Sequence, residues 1–229
     1  MAGEVAVVTG ADRGIGRACA LAFAAREMPV ICVGRWREPL VETAEMVGER
    51  ATAVVAHLGS ERGPDKVRLA AALGGQVRAL VHAAAVQSVG SLEEIDRMEF
   101  DELLDINLGG PLFLTQALLS HFADGAGVVF VGSLAAVRGR PGCAAYAASK
   151  AALHGLTVNL AAELAPRVRV NCVDPGVVEG EELDLEREAR PGGRLAQPED
   201  VAASIVHLAL DASHCTGVIM PVDGGYTAR

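Results

Sequence analysis

Tyrosine and lysine are scarce in this chain: Tyr occurs only at Tyr146 and Tyr226, and Lys only at Lys66 and Lys150. Tyr146 and Lys150 stand four residues apart in a helical stretch, so they share one face about a turn apart. A phenol ordinarily titrates near pH ~10, and an ammonium beside it favours the phenolate. Such a tyrosine can exchange a proton with a carbonyl or alcohol oxygen near neutrality. Ser133 lies thirteen residues before Tyr146, just past a predicted strand end, where it could donate a hydrogen bond to the same oxygen. Asn107 lies at the end of another predicted helix, and Asn is otherwise found only at Asn159 and Asn171. In a sequence that writes nearly every cation as Arg, this gathering of rare types is the strongest chemical signal.

A second signal is Thr9-Gly10-Ala11-Asp12-Arg13-Gly14-Ile15-Gly16, directly after the first strand and opening a helix. Glycines there allow a tight turn and let the backbone approach a pyrophosphate at the positive end of the helix. The end of the second strand then bears on the nucleotide. An acid at that point holds a ribose 2′-hydroxyl, whereas a 2′-phosphate wants cations. The chain has Gly34-Arg35-Trp36-Arg37 with no acid, and Arg13 lies in the neighbouring turn. A guanidinium can grip a phosphate bidentately. NADP(H) is therefore favoured over NAD(H).

The elements that must position these groups alternate strand and helix along the chain. Strands are expected at Val5–Val8, Val30–Val33, Ala53–His57, Ala79–Ala83, Val128–Gly132, Val168–Val173 and Val218–Val222. Helices are expected through about Arg26, then one with Pro39 near its first turn, and over Asp65–Leu73, Met98–Leu104, Gly110–Phe122, Ala145–Ala165 and Glu199–Leu210. Strand runs with little polar alternation imply burial on both faces, and strand–helix alternation implies a parallel sheet. The expected fold is a Rossmann-type α/β domain over residues 1–229, with seven strands in one doubly wound sheet and helices on both faces. The acid-, Arg- and Gly-rich run Val177–Gln197 reads as a lid whose charges form a solvated face.

The chain has 229 residues, 51% apolar and 21% charged, which suits one large domain and excludes disorder. A formal net charge of -9 disfavours nucleic acid as a partner. Apolar runs are too short for a membrane span and the N-terminus lacks a signal-peptide pattern, so a soluble cytoplasmic protein is expected. The five scattered cysteines read as buried hydrophobes in a reducing compartment, and neither they nor the histidines have metal-ligand spacing. His57 and His82 are expected to be packed at strand ends, Cys143 to pack at a helix start, and Arg138 and Arg140 to be exposed. The Ala, Gly and Arg bias suggests a high-GC bacterial gene.

The Gly-rich turn, Asn107, Ser133, Tyr146-Ala147-Ala148-Ser149-Lys150, Asn171, Pro175-Gly176 and Val222-Asp223-Gly224-Gly225 stand in the order and spacing of one family. The chain resembles, over essentially its whole length, the short-chain dehydrogenase/reductase family in its classical, NADP(H)-type branch, particularly bacterial members similar to 3-ketoacyl-carrier-protein reductases. The resemblance implies hydride transfer between nicotinamide and a small ketone or aldehyde and its alcohol. It implies Tyr146 as general acid/base, Ser133 as orienter of the reacting oxygen, and Lys150 on the nicotinamide ribose. Asn107 would hold a water in the proton relay. The cofactor would lie along Gly10, Asp12, Arg13, Gly14, Ile15, Gly16, Arg35, Leu58, Ala83 and Ala84. It would also meet Tyr146, Lys150, the Pro175-Gly176 backbone and the Val178 N–H. A homodimer or homotetramer would form through the two long helices, one of them bearing Tyr146, and the last strand.

Three departures accompany the resemblance. Asn-Asn-Ala-Gly after the fourth strand is replaced by His82-Ala83-Ala84-Ala85, Asp-Val after the third by His57-Leu58, and the Thr expected after Pro175-Gly176 by Gly180. These leave room for two other readings. One is the same scaffold running a dehydration or isomerisation with no net redox. The other is a nicotinamide-binding regulatory subunit, against which the intact Asn107, Ser133, Tyr146 and Lys150 argue.

Overall fold

Val recurs along every strand, because β-branched side chains pack well on a pleated surface. The computed structural model describes residues 3–179 and 191–228. In chain order it runs β1 (Glu4–Thr9), α1 (Gly14–Ala25), β2 (Val30–Gly34), α2 (Arg37–Val47), β3 (Ala51–Val55), α3 (Gly63–Gly74) and β4 (Gln76–His82). Then follow α4 (Arg97–Leu104), α5 (Gly110–Ala117), β5 (Phe122–Val131), α6 (Ala144–Leu164), β6 (Val168–Pro175), α7 (Pro198–Val206) and β7 (Ile219–Val222). The strands form one parallel seven-stranded sheet in the order β3-β2-β1-β4-β5-β6-β7. From β1 the chain works outward to β3, then returns to lay β4 against the other side of β1, so the winding reverses between β1 and β4. Ligands of doubly wound sheets bind at that crevice, beyond the carboxyl ends of the strands.

Two apolar layers hold the sheet. On one face Ala18, Phe23, Ile205 and Leu208 pack against Val8, Val81 and Val129. On the other, Val67, Leu114, Leu118 and Leu153 pack against Val7, Leu80, Val128 and Val170. Gln197 and Asp200 form a capping box at the start of α7, with Pro198 in its first turn, where a missing N–H costs nothing. Arg169 on β6 is buried and donates to the carbonyls of Leu208, Ala209 and Ala212, closing the π turn His207–Asp211 that follows α7.

The structure revises the expected elements at three points. The helix expected over Gly110–Phe122 ends at Ala117, a 3-10 turn spans Leu119–His121, and Phe122 already opens β5. Phe122 is buried and in register with Val77 of β4, and a short apolar run does not by itself distinguish buried helix from buried strand. Asn107 lies inside a helical run rather than at a helix end, because the π turn Asp105–Gly109 joins α4 directly to α5. Finally, β3 runs Ala51–Val55 instead of Ala53–His57 and is an edge strand with Thr52 and Ala53 exposed, so it lacks the two-sided burial of its neighbours.

Candidate active site

The Gly-rich turn sits at the reversal point and is stitched to β4 by one side chain. Thr9 Oγ1 accepts the backbone N–H groups of both Ala83 and Ala84 at 3.1 Å. The turn fits so closely that Gly10, at φ +64°, would bring a Cβ within 2.7 Å of Ala84 N, and a Cβ on Gly16 would fall 2.0 Å from Gly10 O. Gly14, at φ +51°, opens α1 in the left-handed region. The first turn of α1 has neither a side-chain cap nor an acidic residue, which leaves its N–H groups for an anion. Asp12 is buried beside Gly34, whereas Arg13 is exposed at the mouth. This cradle suits a pyrophosphate.

Arg35 and Arg37 are exposed just beyond β2. The Arg35 guanidinium lies 5.2 Å from the Trp36 ring centroid, and its Nη1 is 3.5 Å from Glu102 on α4. Leu58 is buried against Gly110, so its side chain belongs to the core.

Asn107, Ser133, Tyr146 and Lys150 gather near the ends of β4 and β5. Lys150 is 3% exposed, donates to Val131 O at 2.8 Å, and holds Nζ 5.7 Å from the Tyr146 ring centroid. Val131 ends β5, two residues before Ser133, whose hydroxyl accepts the Ala135 N–H at 3.2 Å. Asn107 Oδ1 accepts the Val86 N–H at 2.8 Å, and its Nδ2 donates to Val86 O at 2.9 Å and to Ser149 Oγ at 3.1 Å. Ser149 Oγ in turn donates to Tyr146 O at 2.7 Å. The Asn107 amide thus clasps the loop after β4 to the helix bearing Tyr146 and Lys150.

At the end of β6, a Cβ on Gly176 would lie 3.0 Å from Asp223 Cα, and Gly176 donates to Val222 O. Pro175 is the last residue of β6, and Val178 is buried and bridges to Ala196. Asp223 accepts N–H groups from Gly225 and Thr227, so the Val222–Gly225 motif is a turn clasp. Asn171 plays a similar part, bonding Cys215 O and the Val218 N–H. Gly180 and the lid charges from Glu181 to Arg190 lie outside the described residues.

Other side chains resolve into packing. His82 is buried, stacks on Phe130 with centroids 5.0 Å apart, and meets Thr115 Oγ1 at 2.9 Å. Burial pushes its pKa down to about 3. Cys143 is buried at the start of α6. Arg138 is exposed but engaged, its guanidinium 4.3 Å from the Tyr226 ring centroid and bonded to Tyr226 O at 3.3 Å. Sequence reasoning missed one arrangement altogether: His154, Cys172 and Asp174 offer donor atoms within 4.8 Å of one another behind Ser133. The spacing Tyr146, Lys150, His154 at successive turns of one helix was the available signal.

A doubly wound parallel sheet with a glycine cradle at its reversal point defines a Rossmann-type nucleotide-binding fold. A family model described as short chain dehydrogenase matches residues 4–190. The human protein named dehydrogenase/reductase SDR family member 4 is 36% identical over 250 residues, covering 100% of this chain and 89% of the relative. A solved short-chain dehydrogenase/reductase from Serratia marcescens superposes with a TM-score of 0.92 at 30% identity, covering 98% of each chain. A blue fluorescent protein from a metagenomic library, solved in complex with NADPH, gives 0.87 at 31% identity, with 98% of each chain covered. The chain belongs to the short-chain dehydrogenase/reductase family, nicotinamide-dependent oxidoreductases of alcohol and carbonyl substrates.

Proposed function

We propose that this protein is an NADP(H)-dependent oxidoreductase that interconverts a small ketone or aldehyde with its alcohol, using Tyr146 as general acid/base. One observation carries the reading. Lys150 is buried with its ammonium tied to Val131 at the end of β5, two residues before Ser133, and beside the Tyr146 ring.

The bound nicotinamide supplies or accepts the hydride. Tyr146 gives a proton to the substrate oxygen in reduction and takes it back in oxidation. The Lys150 ammonium favours the deprotonated phenol between turnovers. Ser133 Oγ donates to the same oxygen and steadies its developing charge. Both amide hydrogens of Asn107 are committed within the protein, so a relay water would meet its main-chain carbonyl. Pro111, four residues on, has no N–H to return to that carbonyl.

Gly10, Asp12, Arg13, Gly14, Ile15 and Gly16 cradle the pyrophosphate, with Ala83, Ala84 and the backbone at Leu58 along the adenosine. Pro175, Gly176 and Val178 face the nicotinamide, on a single domain. Arg35, with Arg13, binds the 2′-phosphate. The subunits pair through the long helical run α4–α5, through α6 and through the last strand, β7; Met98, Phe113 and Val158 are exposed apolar side chains on those helices.

A side-by-side titration with NADPH and NADH, following nicotinamide fluorescence, tests the cofactor. Tighter NADPH is expected, and tighter NADH would overturn the reading of Arg35. Tyr146→Phe is expected to abolish turnover while sparing cofactor affinity; retained turnover would remove Tyr146 from the chemistry.

A further inference from the structure

We propose that His154 and Asp174 are a positioning pair that holds Ser133 in register with the reacting oxygen, an inference that rests on the role of Ser133 given above. Asp174 is 2% exposed at the end of β6. Its Oδ1 accepts the Ser133 N–H at 3.1 Å. His154 Nε2 lies 3.0 Å from Oδ1 and 2.8 Å from Oδ2. A carboxylate only accepts, so His154 carries the shared proton on Nε2. The Cys172 thiol also points at Oδ1, at 3.5 Å. Burial and the adjacent carboxylate push that thiol well up, which keeps it a protonated donor rather than a thiolate metal ligand.

Two further features tie the pair to Ser133. A Cβ on Gly132 would lie 2.0 Å from Asp174 Oδ1 and 2.9 Å from Cys172 Sγ, so the carboxylate is pressed against the backbone that leads into Ser133. His154 sits one helical turn beyond Lys150 and two beyond Tyr146 on α6. That helix grips the end of β5 twice: Lys150 holds Val131 O directly, and His154 holds the Ser133 N–H through Asp174. The two contacts anchor the backbone that leads into Ser133 and fix it relative to the helix that carries Tyr146. A carboxylate–imidazole pair of this kind is weak support for stability, but it sets geometry through directional hydrogen bonds to the carboxylate.

The test uses the full chain and a panel of 3-oxo esters, 1,2-diketones and aldehydes, with the nicotinamide that binds more tightly; the carbonyl reduced fastest is the probe. Asp174→Ala is expected to lower kcat about 10–100-fold, the scale of an ~1 Å misplacement, with cofactor affinity unchanged. Asp174→Asn keeps an acceptor for the Ser133 N–H and should recover most of that loss. His154→Gln should lower kcat ~3–10-fold, a partial version of the same misplacement. Adding Asp174→Ala to Ser133→Ala should cost little beyond Ser133→Ala alone, because a positioning residue has nothing left to position. A kcat near wild type in both Asp174→Ala and His154→Gln overturns the proposal, and so does a double-variant loss equal to the product of the single losses. If Asp174→Ala no longer binds cofactor, His154→Gln, alone and combined with Ser133→Ala, decides by the same criteria. A Ser133→Ala variant with full kcat, or a wild type that reduces no member of the panel, instead overturns the functional reading beneath it.

Discussion

His82 donates its Nε2 proton to Thr115 Oγ1 across 2.9 Å, because the Thr115 hydroxyl is already committed to Pro111 O at 2.8 Å. The tautomer follows: Nδ1 is the bare acceptor, buried without a hydrogen-bond partner. The protein therefore keeps a neutral imidazole in the core at the end of β4.

That histidine makes the fold sensitive to acid. Its folded-state pKa of about 3 lies below the ordinary value of 6.5, so between the two the unfolded chain binds the extra proton. The contribution is whole above pH ~6.5 and is lost progressively as pH falls toward ~3. His82→Leu leaves the Thr115 hydroxyl bonded to Pro111 and removes the titrating group. Urea midpoints at pH 7, 5 and 4 should fall less steeply for His82→Leu than for wild type; parallel slopes would count against a neutral buried His82.

The glycine cradle should be intolerant of a single methyl. Gly16→Ala sets a Cβ against the Gly10 carbonyl, a backbone contact that no rotamer can relieve. Overpacking of this kind costs about 1–3 kcal/mol or more. The loss should appear together in the urea midpoint and in the NADPH titration, because the displaced turn is core and, on the proposed reading, cofactor site.

Arg35 and Glu102 offer a test of nucleotide choice. If Arg35 grips the 2′-phosphate, Arg35→Ala should weaken NADPH ~10-fold or more while changing NADH little. Glu102 faces the same guanidinium at 3.5 Å, so it would compete with a 2′-phosphate there. Glu102→Gln should tighten NADPH ~2–5-fold at low salt, with the gain fading as salt is added. Equal effects on both nucleotides in titrations would remove Arg35 from the 2′-phosphate.

Arg169 should prove a stability residue rather than a site residue. Its guanidinium satisfies three carbonyls around the π turn after α7, and Arg169→Met would strand them beneath β5. A cost of ~2–4 kcal/mol in denaturant unfolding is expected, since orphaned buried acceptors lose their full solvation. Arg169→Lys, with one donor head in place of a fork, should recover only part.

The amino-acid sequence by itself determined what depends on short-range spacing. Tyr146 and Lys150 share a face because helical geometry is local, and Gly10, Gly14 and Gly16 announce a turn that other residues would clash in or strain. The run of β-branched strands between helices foretold the parallel sheet. Tertiary structure alone decided what depends on contacts between distant segments. It carried the helix through Asn107 and turned that side chain inward to Val86 and Ser149. It occupied Arg138 with Tyr226 and gave Arg35 a carboxylate neighbour. It also brought His154 and Asp174, on α6 and β6, behind Ser133 at the end of β5. No local pattern encodes these pairings, because hydrogen bonds between residues tens of positions apart exist only once the sheet has set its strand ends side by side.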